Sequence, residues 1–298
     1  MPANRRLLGG RAVFQMMKIV SMIIRGLGRS IKRKYIKDMI NKEQADMICL
    51  QETKCSEFSK ELGYLLWGSN DIGWIEVGGS NNAGGIITMW RNSQFQLVNS
   101  SRGNNFIAVE GEWKGDGGVQ VFIVNVYNPS LLREKKVLWE EINEIRRLQN
   151  NRVWCVIGDF NSVRRQNERR SLFSASDYSR EIRGFNDFIE KSEFVDVPMV
   201  GRKFTWYKRN GSVKSRIDRV LVSREWLDVW PKCKQFILSR TVSDHCALLF
   251  KDSKVDWGPK PFRSLDAWQE DSRFKDFVRS KWHSYELQGE ACLSLKKN

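Results

Sequence analysis

The spacing of apolar residues changes along the chain between the period of a β-strand and that of an α-helix. Short apolar runs at 18–24, 45–50, 86–90 and 153–157 are typical of buried strands. Runs at 204–207, 217–222 and 247–250 predict further strands. Apolar residues three and four positions apart predict helices over 31–42, 133–148 and 180–191.

The runs at 106–113 and 120–126 flank a segment rich in glycine, and this arrangement predicts a β-hairpin. Another glycine-containing turn is expected at 81–85, directly before the strand at 86–90. Because strands alternate with helices but hairpins also occur, the pattern predicts an α/β fold with mixed sheets covered by helices.

The pattern divides the 298 residues into three parts. Residues 1–16 are expected to be an N-terminal extension, although this acid-free start also resembles a targeting peptide. Residues 17–252 are expected to form one domain. Residues 253–298 are expected to be a linker and an amphipathic helix, the start of a truncated downstream region or a helix that docks back on the domain.

Basic residues outnumber acidic ones, and the balance of 50 against 35 gives a net charge of +15. This charge favours a polyanionic partner, most simply nucleic acid, over a soluble protein that happens to be basic. Two basic clusters stand out, at 32–37 and 164–170, although the first also fits a solvated helix face. No apolar run reaches the ~18 residues of a membrane span, so no membrane partner is expected.

The six cysteines include no C-x-x-C pair, which predicts a reducing, intracellular compartment without disulfides or a zinc site. Trp90, Trp154 and Trp206 are expected to be core aromatics, with substrate contact by Trp206 as the alternative.

Acidic residues recur at the ends of the predicted strands, and one of only two histidines in the chain accompanies them. They are Glu52, Asp159, Asp218 and the pair Asp244-His245. Taken singly, each is a weak signal, and a lone histidine is more often a satisfied structural residue. Taken together, they supply what is needed to hold a hard divalent cation and hydrolyse a phosphodiester.

In this order the motifs resemble the endonuclease/exonuclease/phosphatase superfamily, and most closely the apurinic-type endonuclease domain of plant LINE non-LTR retrotransposons. The resemblance runs from about residue 17 to 250. The segments that carry it begin with 18–21, 24–28, Gln51-Glu52-Thr53, Gly84-Gly85 and Asn125-Val126-Tyr127-Asn128-Pro129, and continue with Gly158-Asp159-Phe160-Asn161, Phe204-Thr205-Trp206, Ser215-Arg216-Ile217-Asp218-Arg219 and Ser243-Asp244-His245.

The resemblance implies an α/β four-layer sandwich, in which two packed mixed β-sheets are flanked by helices. It implies a site where loops of both sheets converge, with Glu52 and Asp244 as ligands of Mg²⁺ or Mn²⁺. It also implies DNA as the partner, a nuclear location, and no small-molecule cofactor; protein partners stay open.

The resemblance implies roles for five further residues. Asp218 would orient His245 and balance its charge, and Asp159 would orient or deprotonate the attacking water. Asn161 would bind the scissile phosphate or position that water, and Tyr127 would contact the phosphate. A phosphodiester needs such a set: a cation, a base and donors for the developing charge.

The chain departs from the family pattern at one position. Met22-Ile23 stands where the family has Trp-Asn, so an amide oxygen near the metal is missing. This departure leaves one alternative to a working DNA-nicking endonuclease open, and the shared fold leaves another. One is a catalytically impaired relic that binds nucleic acid, and the other is a phosphatase of the same fold.

Overall fold

The computed structural model describes residues 16–79, 84–115, 118–149, 152–172, 178–253 and 272–284. The chain divides into two compact units, Met1–Lys254 and Val255–Asn298. The first unit is built on two mixed sheets, together with a small three-stranded sheet.

The first sheet has seven strands in the order β11-β15-β16-β1-β2-β4-β3. Their bounds are β1 Ile19–Ile23, β2 Met47–Gln51, β3 Ile72–Val77, β4 Ile86–Arg91, β11 Met199–Val200, β15 Cys233–Ile237 and β16 Leu248–Asp252. The second sheet has six strands in the order β10-β14-β8-β7-β6-β5. Their bounds are β5 Phe95–Gly103, β6 Phe106–Trp113, β7 Val119–Tyr127, β8 Val153–Asp159, β10 Val195–Asp196 and β14 Asp218–Val222.

A third sheet joins three short strands, β12 (Trp206–Tyr207), β13 (Val213–Ser215) and β9 (Arg169–Ser171). The helices of the first unit are α1 Ser30–Glu43, α2 Lys60–Trp67, α3 Leu132–Leu148, α4 Ser179–Lys191 and α5 Arg224–Val229, with one 3₁₀ turn at Gln166–Glu168.

Three apolar clusters define the layers. One lies between the two large sheets and joins residues such as Ile19 and Phe250 to Ile123 and Ile157. A second packs the outer face of the first sheet against α1 and α2. A third packs the outer face of the second sheet against α3 and α4. The order helices, sheet, sheet, helices confirms the predicted four-layer α/β sandwich.

The predicted strands and helices form within a few residues of the expected bounds, and the hairpin of β6 and β7 is confirmed. The spacing that predicts α1 places Ile31, Tyr35, Ile36, Met39 and Ile40 in one apolar stripe, but Ile31, in the first turn, is 66% exposed. Helix α1 buries only the later part of that stripe, at Ile36, Met39 and Ile40.

The expected extension lies outside the described residues apart from Met16 at its end. So do residues 81–83 of the expected turn and residues 254–271, which include the expected linker. In the second unit, helix α6 spans Ser272–Ser284, with Phe277 59% exposed and Val278 38% exposed. Within the described residues, no helix is long and apolar enough to cross a membrane.

Candidate active site

Strand register brings the predicted site residues to one edge of each sheet. Parallel strands β1 and β2 end together, with Ile23 paired to Gln51, so Glu52 follows at that edge. Strand β16 runs antiparallel to β1, so Asp244 and His245, which precede it, reach the same edge.

In the second sheet, Asp159 ends β8, and it is the register partner of both Tyr127 on β7 and Asp218 on β14. The sequence places acids at strand ends, and the topology makes those ends neighbours.

His245 and Asp218 form the best-defined contact of the site. His245 Nδ1 lies 3.0 Å from Asp218 Oδ2 and 3.1 Å from Oδ1, and both side chains are buried. Burial lowers the pKa of His245, but the carboxylates of Asp218, Asp159 and Asp244 outweigh it and raise that pKa to about 9. The imidazole is therefore charged at neutral pH, with Nδ1 held by Asp218 and Nε2 left to donate elsewhere.

Asp159 is buried next to this pair, and its environment favours the protonated form. Burial, followed by the charge of Asp218, raises the pKa of Asp159 well above its usual range, against the opposing effect of His245. One oxygen of Asp159 also accepts a hydrogen bond of 2.7 Å from the backbone N–H of Asn161. A carboxyl group poised in this way can exchange a proton near neutral pH.

Tyr127 and Asn161 complete the second-sheet side of the site. Burial and the charges of Glu52 and Asp159 raise the pKa of the Tyr127 hydroxyl to about 12, so this hydroxyl remains a proton donor. Asn161 has a left-handed backbone, with φ of 46°, and its side-chain amide donates to the Pro129 carbonyl at 3.4 Å. Strained backbone of this kind is frequent at functional sites.

A basic side chain joins the two predicted metal ligands. The Arg25 guanidinium donates from Nε to Asp244, and its Nη1 lies 3.6 Å from Glu52 Oε2. Lys54 Nζ lies 3.4 Å from the other oxygen of Glu52. Burial raises the pKa of Asp244, but the hydrogen bond from Arg25 and the charge of His245 reverse this and lower it.

The donor set fits a hard divalent cation. The carboxylate oxygens of Glu52 and Asp244 converge on one cationic group, the guanidinium of Arg25. Hard divalent cations are held by carboxylate oxygens that converge in the same way. Asp159, Asp218 and His245 form a second group whose ligand atoms lie within 4.8 Å of one another. Arg25 neutralises the first pair, so a metal ion there has to compete with the guanidinium.

Ile23 places an apolar side chain where the family pattern has an amide. Ile23 is 1% exposed. Its register partner Gln51 donates to Ser21 at 3.0 Å and to Asn125 at 2.6 Å. The other amide atom of that side chain, Oε1, is buried without a hydrogen-bond partner among the described residues. A buried acceptor left unpaired is costly, and an amide at position 23 would offer a donor.

The prediction that Trp206 is a core aromatic is wrong, whereas Trp90 and Trp154 are buried as expected. The half-buried Trp206 donates from Nε1 to Asp244 Oδ2 at 3.0 Å. The side-chain hydroxyl oxygen of the preceding Thr205 accepts hydrogen bonds from the backbone N–H groups of Ile217 and Asp218, each at 3.1 Å.

Sequence reasoning also missed Arg25 and Lys135. Arg25 had a signal, since it lies two residues beyond Ile23 at the same strand end. Lys135 had none, because a lysine in an amphipathic helix is normally solvated. The cluster at 164–170 is partly engaged by protein: Arg164 donates to Asn186 at 3.0 Å and contacts Asp196 at 3.4 Å.

The buried His245 gives the fold a pH dependence. Its pKa rises from 6.5 to about 9 on folding, so the stabilisation is complete below pH 6.5 and is lost as the pH rises towards 9. We expect the free energy of unfolding, measured with urea in the presence of EDTA, to fall over this interval. The variant His245→Asn should lose most of that slope; an unchanged slope would mean that other groups cause it.

The chain matches known proteins both in sequence and in structure. The model of the endonuclease/exonuclease/phosphatase family matches residues 23–245. An AP endonuclease from Leishmania major has a TM-score of 0.63 at 17% identity, over 80% of this chain and 88% of that one.

Two further solved structures are matched over 80% of this chain and 100% of their own. The endonuclease domain of TRAS1, a telomere-specific non-LTR retrotransposon, gives a TM-score of 0.58 at 13% identity. The 3′ phosphatase NExo from Neisseria, bound to a product DNA hairpin, gives a TM-score of 0.61 at 18% identity. These identities are low, so the structural likenesses show the fold alone, but the family match spans most of the chain. The chain belongs to the endonuclease/exonuclease/phosphatase family.

Proposed function

We propose that this protein is a divalent-metal-dependent phosphodiester hydrolase that nicks one strand of DNA, as the endonuclease of a LINE-type retroelement. The observation that carries the proposal is the charged His245–Asp218 pair beside a protonatable Asp159, with Glu52 and Asp244 at the same edge. The net charge of +15 supports a polyanionic substrate, and the named neighbours that process DNA support nucleic acid in particular.

The protein groups divide the work of hydrolysis by their protonation states. Asp159, once ionised, accepts a proton from the attacking water, whose oxygen bonds to phosphorus as the P–O3′ bond breaks, and the released 3′-oxygen takes up a proton to become a 3′-hydroxyl. His245 is already charged and donates from Nε2 to a phosphate oxygen, while Asp218 fixes the ring through Nδ1. Tyr127 and Asn161 add neutral donors. A cation at Glu52 and Asp244 would stabilise the charge that develops on the phosphate.

The test is nicking of supercoiled plasmid in Mg²⁺ by this chain, with EDTA as the metal-free control. We expect relaxed circles to form only with metal, and a double-strand cut to be a minor product. Absence of nicking by this chain and also by Ile23→Asn would overturn the proposal.

Two observations favour a second candidate, a catalytically impaired protein that still binds DNA. Ile23 removes a polar group, and Arg25 neutralises the predicted metal ligands. DNA binding with no nicking in Mg²⁺ identifies this candidate. The phosphatase neighbour supports a third, which release of phosphate from a 3′-phosphorylated oligonucleotide distinguishes.

Arg25 sets a limit on metal affinity. The variant Arg25→Gln removes the cation that pairs with Glu52 and Asp244. We expect this variant to bind Mn²⁺ about tenfold more tightly, because one competing charge–charge interaction near the surface is removed. Electron paramagnetic resonance of free Mn²⁺ measures this without any substrate. Arg29→Gln, at an exposed arginine nearby, is the matched control. Unchanged or weaker binding in Arg25→Gln would show that Arg25 does not compete with the metal.

A further inference from the structure

Lys135 is a buried lysine on the inward face of helix α3. Its side chain is only 2% exposed, and the residues that follow it on the same helix face, Leu138, Trp139 and Ile142, belong to an apolar cluster. Burying an ammonium group costs free energy unless the charge is paired and hydrogen-bonded. The partners of Lys135 therefore indicate what this arrangement achieves.

Lys135 ties three parts of the fold together. Its ammonium group lies 3.0 Å from Glu181 Oε1 on α4. It also donates a short hydrogen bond to the backbone carbonyl oxygen of Asn161, in the loop that follows β8. The ion pair with Glu181 balances the charge of the ammonium group. The hydrogen bond to the carbonyl oxygen of Asn161 directs that charge at one peptide group of the active-site loop.

That peptide group belongs to Asn161, the residue of this loop whose backbone is left-handed. Asn161 has a φ of 46°, in the left-handed region that few residues other than glycine and asparagine adopt, and its N–H donates to Asp159 at 2.7 Å. The bond from Lys135 holds the other end of the same residue. Within the described residues, this is the hydrogen bond made by the carbonyl oxygen of Asn161, so its loss would allow Asn161 to relax towards an ordinary conformation and would weaken the bond to Asp159.

We propose that Lys135 is a positioning residue. From its buried position on α3, it holds the turn Asp159–Asn161 in its reactive conformation. This role in catalysis rests on the proposed function, whereas the contacts of Lys135 with Glu181 and Asn161 are observed independently of it. Lys135 acts through Asn161 and Asp159 and does not touch the substrate. Residues that orient a reactive group in this way typically change activity by about 10–100-fold.

The substitution Lys135→Met tests this, because methionine fills similar volume without the charge. Lys136→Met, at the exposed neighbouring lysine of the same helix, is the matched control. Amide hydrogen exchange, followed by mass spectrometry, is compared for peptides that cover 159–165 and for the remaining domain. We expect exchange in that loop to be about tenfold faster in Lys135→Met only, and unchanged elsewhere.

Nicking kinetics add the second readout. We expect Lys135→Met to lower kcat about 10–100-fold with KM within about twofold, and Lys135→Arg to recover part of the loss. Glu181→Gln keeps the ammonium group and removes its counter-ion, so a smaller local increase in exchange is expected there.

Exchange in the loop equal to that of Lys136→Met would overturn the positioning role. So would faster exchange throughout the domain, since Lys135 would then support the whole fold. If neither this chain nor Ile23→Asn nicks DNA, the proposed function fails by itself, and the exchange comparison still decides the role of Lys135.

Discussion

Replacement of His245 by alanine should reduce plasmid nicking by about 10³-fold, which is the effect typical of removing a preorganised donor to a developing oxyanion. The buried imidazole is charged because Asp218 binds Nδ1, and alanine leaves Asp218 and Asp159 without this cation. DNA affinity should change little, because one histidine charge added to a net charge of +15 contributes little to phosphate binding. Single-turnover cleavage and equilibrium binding to the same oligonucleotide separate the two effects.

The chain carries its own control for this experiment, since its other histidine is His283 in helix α6. His283→Ala should nick as the parent does. Combining His245→Ala with Asp218→Ala should cost hardly more than His245→Ala alone, because Asp218 acts through the imidazole. If the two losses multiply, Asp218 has an independent role and the pairing is not the basis of the effect.

The sequence predicts the layers of this fold because each layer has a simple signature. Apolar runs such as 153–157 are buried on both faces, and stripes such as that of α4 are buried on one. Strand β12 lies within the predicted run 204–207, but the other strands of two or three residues, β9, β10, β11 and β13, escape prediction because so few residues carry no periodicity. The longer strands β3, β5 and β15 are not predicted either. The pairing of the short strands depends on tertiary contacts such as the Trp206–His245 bridge.

The pattern of the sequence places the acids of the site at strand ends, whereas the pairing of Asp218 with His245 is implied only by the family resemblance. Strand order decides that Asp159 lies opposite Asp218, and only packing of the two sheets decides which charges meet. Arg25 and Lys135 illustrate what is lost. Each is a basic residue in a basic chain, and nothing in the local sequence separates a side chain that contacts the site from one that points into water.

The substitution Ile23→Asn should raise nicking in Mg²⁺ by about 10–100-fold, the size of effect seen when a group supporting a metal site is gained or lost. The structure adds a reason why the new amide can be accommodated. Gln51, the register partner of Ile23, has a buried Oε1 without a hydrogen-bond partner among the described residues, and an asparagine amide is a suitable donor. The asparagine oxygen then remains available at the metal edge.

Two controls separate this gain from a change in packing. Ile23→Val alters the shape but adds no polar group, and it should leave nicking unchanged. Ile19→Asn places the same amide on the same strand, inside the apolar layer between the sheets, and should lower the melting temperature without any gain in activity. A silent parent with an active Ile23→Asn would mean that one side chain disables an otherwise complete site. An active parent that gains nothing from the asparagine would mean that Glu52 and Asp244 hold the metal well enough without an amide, and that Ile23 is tolerated.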